Sequence, residues 1–163
     1  MSIITFWNDD REQTGKTFSA VAVAIKMAIE RELKILLIST SCNDKTMENC
    51  FVDANASTVK KIIGKNDNIA VDNGIMGIAK LIASNKLEPQ AITDYTRVIF
   101  KNRLETISGY IPTDNLDYQE KMMAYEKVEK CYPDLIRLAN QYYDIVIVDL
   151  DKQLNETVKK EIF

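Results

Sequence analysis

The sequence predicts an α/β fold in which a mostly parallel sheet carries helices on both faces. Two apolar segments near the N-terminus, residues 3–7 and 34–39, flank a stretch with helical periodicity. A third segment, residues 143–151, contains a run of β-branched residues and follows two further helical patterns. Strands that alternate with helices in this way form parallel sheets whose helical connections pack on the two faces.

The loop after the first strand ends in Gly15, Lys16 and Thr17, which are half of a phosphate-binding motif. The full pattern, Gly-x-x-x-x-Gly-Lys-Ser/Thr, places its first glycine at Asp10. Backbone N–H groups at the start of a helix attract an anion, and Gly15 would let the backbone approach it. We therefore predict that Lys16 reaches the terminal phosphates and that Thr17 ligates Mg²⁺. The alternative is a solvated turn that carries these three residues by chance.

Acidic residues surround this loop. Asp9, Asp10 and Glu12 accompany the cations Arg11 and Lys16. A carboxylate beside a phosphate costs on the order of 1 kcal/mol at surface-like screening. If the carboxylates face the site, binding of a triphosphate would be weak, and if they turn outward it would survive.

The first helix is predicted over residues 17–32, where apolar residues recur at helical spacing. Residues 34–39 follow as a buried parallel strand. Residues 40–72 are rich in Asn, Asp, Ser and Thr and predict only a short helix at 57–63.

The second half of the chain predicts four more helices and two strands. Pro89 is expected to open a helix that carries Ile92, Tyr95 and Ile99 on one side. Arg97, Lys101 and Arg103 would then form a basic cluster, either a solvated helix face or a docking patch. The remaining predicted elements are helices at 74–84, 117–130 and 133–143, a strand at 104–111 that Pro112 ends, and the strand at 143–151.

The last strand carries an acidic residue at its end, Asp149. The carboxyl ends of parallel strands border the crevice in which α/β proteins bind ligands. In a phosphate-loop enzyme this position holds Mg²⁺ directly or through water. We therefore predict that Asp149 completes a metal site with Thr17; an acidic strand end without a function is the alternative.

The composition is that of an ordinary cytoplasmic domain. The 163 residues are expected to form one domain with a real core. The net charge of −3 and pI of about 5.1 do not favour nucleic-acid or membrane binding. Three scattered cysteines predict reduced thiols, and the absence of histidine excludes His-based catalysis and His-ligated metals. No stretch is apolar and long enough to span a membrane.

The chain resembles the ParA/MinD family of deviant Walker-A ATPases. Three segments in the family's order carry the resemblance: the Gly-Lys-Thr loop, the 34–39 strand and the Tyr-Asp-Ile-Val-Ile-Val-Asp strand. The resemblance covers nearly the whole chain and is strongest at residues 3–39 and 141–150. Within the family, the chain is most similar to the TadZ-type and plasmid-borne subgroup with degenerate loops. The family implies a three-layer P-loop NTPase fold that binds ATP and Mg²⁺. It also implies homodimers whose protein partners belong to plasmid-partition, division, secretion or conjugation systems.

The resemblance assigns roles residue by residue. Lys16, Asp149 and Arg11 would be catalytic, with Arg11 in the place of the family's signature lysine. Thr17 and Asp149 would bind the metal. The nucleotide contacts would come from Gln13, Thr14, Gly15, Lys16, Thr17 and Phe18.

The chain departs from the family pattern at two places. Ser39-Thr40-Ser41 stands where the family has Asp-x-Asp at the end of the second strand. The sequence also ends soon after the 143–151 strand, where family members continue, so the C-terminal part of the fold is expected to be missing. Three functions stay open: an ATP-dependent dimeric switch, a non-hydrolysing scaffold or localisation protein with the same fold, and a P-loop small-molecule kinase or ligase.

Overall fold

A five-stranded sheet organises the computed structural model, which describes residues 2–8, 15–51, 74–112, 115–152 and 154–162. Its strands are β1 (Ser2–Phe6), β2 (Ile35–Ser39), β3 (Arg97–Phe100), β4 (Leu104–Ile107) and β5 (Ile145–Asp149). They lie in the order β1-β5-β2-β4-β3. The β1–β5, β5–β2 and β2–β4 pairs are parallel, whereas β3 pairs with β4 in the antiparallel direction. The predicted mostly parallel α/β fold is confirmed.

Helices cover both faces of this sheet. The helices of the described residues are α1 (Lys16–Glu30), α2 (Thr46–Asn49), α3 (Ile75–Ala83), a 3₁₀ helix (Pro89–Tyr95), α4 (Tyr118–Glu129), α5 (Tyr132–Tyr142) and α6 (Glu156–Ile162). One core cluster joins α1 to the sheet, and a larger one lies on the opposite face beneath α3 to α6. β2 and β5 are buried along their whole length because both faces are covered, which explains their continuous apolar sequences.

Four helix predictions agree with the structure to within a residue or two at each end: those for α1, α3, α4 and α5. The start of α4 illustrates the local cause. The Asp117 side chain accepts a hydrogen bond from the Glu120 backbone N–H, and the Glu120 side chain accepts one from the Asp117 N–H. This capping box fixes where the helix begins. The predicted helix at 57–63 lies outside the described residues.

The helix predicted from Pro89 through Ile99 is wrong. The chain forms only the 3₁₀ helix at Pro89–Tyr95 and then enters β3, so Ile99 lies on a strand. A tight turn with Asn102 at φ 61° connects β3 to β4. Pairing with the otherwise open edge of β4 stabilises this segment more than the helix that its apolar spacing predicts. Its residue types also favour a strand: Val98, Ile99 and Phe100.

The basic cluster consequently lies on a hairpin and not on a helix. Arg97 and Lys101 are exposed on it. Arg103 instead turns toward the end of α1, where its guanidinium donates to the carbonyl oxygen of Arg31 at 2.9 Å and lies 3.3 Å from the Glu32 carboxylate. One of the three residues thus stabilises the carboxyl end of a helix.

The strand predicted at 104–111 ends earlier, at Ile107. The chain then passes so close to β2 that a Cβ atom on Gly109 would lie 2.2 Å from the Ser41 carbonyl oxygen. The Tyr110 N–H donates to that oxygen at 2.8 Å, and Cys42 and Tyr110 form an isolated parallel bridge. A glycine is therefore required where the chain leaves the regular strand.

Among the described residues, the longest helices fall short of the apolar length needed to cross a membrane.

Candidate phosphate-binding site

The site lies at the carboxyl ends of β1, β5 and β2, next to the start of α1. In the sheet, Phe6 of β1 is paired with Asp149 of β5, and Asp149 is paired with Ser39 of β2. Paired residues on neighbouring parallel strands point to the same face. These three side chains therefore form a row on the face that α1 covers, at the edge where α/β sheets bind ligands.

Gly15 shapes the entrance to α1. It is the N-cap residue and has φ 69°, in the left-handed region that glycine adopts without strain. A Cβ atom at this position would meet none of the described atoms within 4 Å, so the left-handed backbone, and not a lack of space, is what favours glycine here. Gly15 has no side chain with which to cap the helix. Backbone N–H groups at a helix start that has no side-chain cap are suited to an anion.

Lys16 and Asp149 form the centre of the site. The Lys16 Nζ atom lies 2.9 Å from Asp149 Oδ1, and the two side chains are 14% and 3% exposed. Lys16 Nζ also donates a hydrogen bond to the backbone carbonyl oxygen of Leu150. The two residues that were predicted independently from sequence are thus brought into direct contact.

Asp149 Oδ1 keeps unused acceptor capacity. It is buried, and the Lys16 ammonium approaches it in a direction that makes a close charge contact without hydrogen-bond geometry. The short distance still makes this a favourable charge contact, because Coulomb attraction depends little on direction. A buried carboxylate oxygen without a hydrogen bond is an available ligand for a cation.

The described residues contain no group of three or more His, Cys, Asp or Glu side chains that could hold a metal by themselves. Mg²⁺ in nucleotide sites takes few protein ligands and keeps water and phosphate oxygens. A single buried carboxylate near a helix start that carries a threonine fits this chemistry. Asp149 and Thr17 are therefore compatible with the metal role predicted for them, which stays a prediction.

The other predicted nucleotide contacts differ in what the structure describes. Thr17 lies in the first turn of α1 and is partly buried. Phe18 is 70% exposed. Trp7, which directly follows β1, is 63% exposed. Arg11, Gln13 and Thr14 lie outside the described residues, so their roles stay predictions, as does the orientation of the acidic loop residues.

Two thiols lie in the electrostatic field of the acidic residues at this edge. Burial raises the pKa of the Cys50 thiol, and the charge of Asp149 raises it further. Burial and then the charge of Asp151 raise the pKa of Cys42 in the same way. Both thiols therefore stay protonated near neutral pH and are poor nucleophiles.

The sequence interpretation missed the contribution of the second strand's end. The family pattern identifies Ser39, Thr40 and Ser41 only as a departure from Asp-x-Asp, yet all three residues are buried. The Thr40 N–H donates to the Asp149 carbonyl oxygen at 3.0 Å, and the Ser39 hydroxyl donates to that of Ser41 at 2.9 Å. The sequence does contain a signal for this arrangement, because three hydroxyl residues directly follow a fully apolar strand. Hydroxyl groups that are buried require hydrogen-bond partners.

Neither a protein-family model nor a curated protein matches the sequence. Solved structures do resemble the fold. A ParA family ATPase from Chlorobium tepidum TLS is 17% identical, with a TM-score of 0.63 over 98% of this chain and 55% of its own. A Corynebacterium diphtheriae protein is 13% identical, with a TM-score of 0.59 over 99% of this chain and 56% of its own.

A plasmid partition protein from Borrelia burgdorferi is 19% identical, with a TM-score of 0.55 over 99% of this chain and 59% of its own. The chain therefore spans a little over half the length of these three structures. At such low identity, the likeness establishes that this chain has the same α/β fold as a ParA family ATPase, with a mostly parallel sheet and helices on both faces.

Proposed function

We propose that the chain is a ParA/MinD-like nucleotide-binding protein that takes Mg-ATP at the start of α1. The observation that carries this proposal is the contact of Lys16 with Asp149, 2.9 Å apart at the carboxyl edge of the sheet. A lysine in the first turn of a helix is at the unfavourable end of the helix dipole. Asp149 offsets this cost in the structure, and in the proposal the phosphates of the nucleotide take over that role when they bind. The fold shared with a ParA family ATPase and a plasmid partition protein supports the same assignment.

In this proposal each residue has a defined task. Lys16 would exchange its contacts with Asp149 and the Leu150 carbonyl for phosphate oxygens. Thr17 and Asp149 would hold Mg²⁺, which supplies neutralisation of the phosphate charge. Arg11, Gln13, Thr14, Gly15 and Phe18 would complete the nucleotide site, with Arg11 replacing the lysine that the family directs toward a partner subunit. The protein would act as a homodimeric switch of the TadZ-type or plasmid-borne subgroup, in a partition, division, secretion or conjugation system.

Titration calorimetry with Mg-ATP tests the proposal. We expect the wild-type protein to bind and Lys16→Ala to lose binding, whereas Lys26→Ala should retain it. Lys26 is the matched control because it lies on the same helix and, among the described residues, pairs with Glu30 at the surface. Thr17→Ala removes one hydroxyl and should mainly reduce the factor by which Mg²⁺ increases the affinity for ATP. No binding by the wild-type protein at millimolar Mg-ATP would refute the assignment.

A second function is favoured by one specific feature, the Ser39-Thr40-Ser41 segment. Its hydroxyl groups hydrogen-bond to one another and to neighbouring backbone, and none of them carries a charge that could activate water. The chain would then bind nucleotide without hydrolysing it and act as a localisation scaffold. Binding of Mg-ATP without release of phosphate over many hours would support the scaffold, and steady turnover would support the switch.

A further inference from the structure

We infer that Thr40 is a positioning residue that holds residues 149–151 in the conformation in which they meet Lys16. Thr40 directly follows β2, and its side chain is fully buried. The inference deepens the proposed function and rests on it for its effect on Mg-ATP.

The backbone of residues 149–151 is held at three successive points. The Thr40 N–H donates to the Asp149 carbonyl oxygen at 3.0 Å. The Leu150 N–H donates to the Phe6 carbonyl oxygen at 2.9 Å. The Asp151 N–H donates to the Thr40 hydroxyl oxygen at 2.7 Å. The Thr40 hydroxyl also donates to the Asp149 carbonyl oxygen at 3.4 Å. Thr40 thus contacts this segment on either side of Leu150.

The held segment presents both atoms that contact Lys16. These atoms are Asp149 Oδ1 and the Leu150 carbonyl oxygen. β5 ends at Asp149, so Leu150 and Asp151 lie beyond the strand. The bond from the Asp151 N–H to the Thr40 hydroxyl acts on the peptide group that contains the Leu150 carbonyl, and so it helps to fix the direction of that carbonyl.

Long hydrogen bonds also join the backbone at Thr40 to the opposite face of the sheet. Its carbonyl oxygen accepts a hydrogen bond from the Tyr125 hydroxyl at 3.4 Å, and the preceding carbonyl, that of Ser39, accepts one from Tyr132 at 3.5 Å. These tyrosines belong to α4 and α5, on the face opposite α1. Thr40 therefore connects the helices of one face to the residues that contact Lys16 on the other.

The hydroxyl is the group on which the inference depends, so the test is Thr40→Val against Thr40→Ser. Valine has nearly the same shape but lacks the hydroxyl that accepts the hydrogen bond from the Asp151 N–H, whereas serine keeps this hydroxyl. Thr106→Val is the matched control, since Thr106 is also a buried threonine and lies on the neighbouring strand β4.

The first measurement is amide hydrogen exchange in the protein without nucleotide. We expect the Asp151 amide to exchange at least tenfold faster in Thr40→Val, and at the wild-type rate in Thr40→Ser and Thr106→Val. Unchanged exchange at Asp151 in a folded Thr40→Val variant would overturn the inference. This result does not depend on whether the protein binds ATP, so it separates failure of the inference from failure of the proposed function.

The second measurement is the ratio of ATP affinities with and without Mg²⁺. Because Asp149 would hold the metal, Thr40→Val should reduce this ratio about tenfold, with rescue in Thr40→Ser. An equal loss of affinity with and without Mg²⁺, or the same loss in Thr106→Val, would show a general effect on stability and would overturn the positioning role. If the wild-type protein binds no ATP, the proposed function fails and the exchange result alone decides whether Thr40 fixes the segment.

Discussion

Lys16 and Asp149 form an ion pair that is almost fully buried, with 2.9 Å between Nζ and Oδ1. Lys16 begins α1, and Asp149 ends β5 near the other end of the chain. The pair therefore links the helix to the strand at the edge of the sheet where we place the ligand. Breaking one side of such a pair leaves a charge in a poorly solvated place, which is costly.

The first prediction concerns this pair and stability. Lys16→Met keeps the apolar stem but leaves Asp149 buried and unpaired, so the free energy of unfolding should fall by about 3–5 kcal/mol. Adding Asp149→Asn should recover part of this loss, because the remaining buried group is then neutral. Urea denaturation of the two single variants and the double variant measures the coupling.

Lys26→Met is the control for this experiment. Lys26 pairs with Glu30 at the surface of the same helix, where water screens the interaction, so Lys26→Met should change the free energy of unfolding very little. Additive effects of Lys16→Met and Asp149→Asn would contradict the view that the pair is a coupled unit.

The second prediction concerns Gly109. Gly109→Ala would place a Cβ atom 2.2 Å from the Ser41 carbonyl oxygen and 2.5 Å from its Oγ. The backbone contact between the two segments must open, so the variant should lose about 1–3 kcal/mol of stability. Thermal unfolding of Gly109→Ala measures the loss. Ser108→Ala, which adds no atom at the preceding residue, should remain within about 0.5 kcal/mol of wild type.

The third prediction is a loss of stability at alkaline pH. Burial is the main reason that the pKa of Cys131 rises from 9.0 to about 12 and that of Tyr132 lies well above 10.0. At a pH above these ordinary pKa values, the folded protein binds more protons than the unfolded chain. The free energy of unfolding should therefore be fully present below pH 9 and fall as the pH rises from 9 toward 12, by up to about 1.4 kcal/mol per pH unit for each group.

Urea denaturation between pH 8 and 11 tests this expectation. Cys131→Ala should flatten the decline from about pH 9 upward, and Tyr132→Phe should flatten it from about pH 10. Tyr118→Phe is the control, because Tyr118 is 77% exposed and its removal should leave the slope as in wild type. A stability that is independent of pH over this range would contradict the burial of both groups.

The fourth prediction concerns the end of α1. Arg103→Met removes the guanidinium that donates to the Arg31 carbonyl at 2.9 Å and to that of Ala28 at 3.4 Å. We expect a loss of about 1–2 kcal/mol in the free energy of unfolding, because carbonyl groups at the helix end lose a charged donor.

Arg137→Met provides the comparison for this variant. Arg137 makes an exposed pair with Asp134 on α5, three residues away. Its removal should change stability by no more than about 0.5 kcal/mol. Equal effects of the two substitutions would show that Arg103 contributes no more than an ordinary surface charge.

The sequence by itself determined the parts of the molecule that follow from local patterns. The period of apolar residues predicted α1, and the continuous apolar runs predicted β2 and β5, because these elements meet the core along one helical face or along whole strands. The rule that parallel strands end at one edge of the sheet also predicts that Lys16 and Asp149 border the same crevice.

Only the tertiary structure decided the features that depend on partners distant in the chain. The segment around Ile99 has helical spacing, yet it becomes β3 because β4 offers an open edge. Thr40 occupies the middle position of Ser39-Thr40-Ser41, for which the family pattern Asp-x-Asp specifies no residue type, yet its hydroxyl accepts a hydrogen bond from the Asp151 N–H once β2 and β5 lie side by side. The spacing of residues in the sequence predicts which of them share one face of a helix or strand. The hydrogen-bond partners across a sheet depend instead on strand order and register, and no local pattern in the sequence determines these.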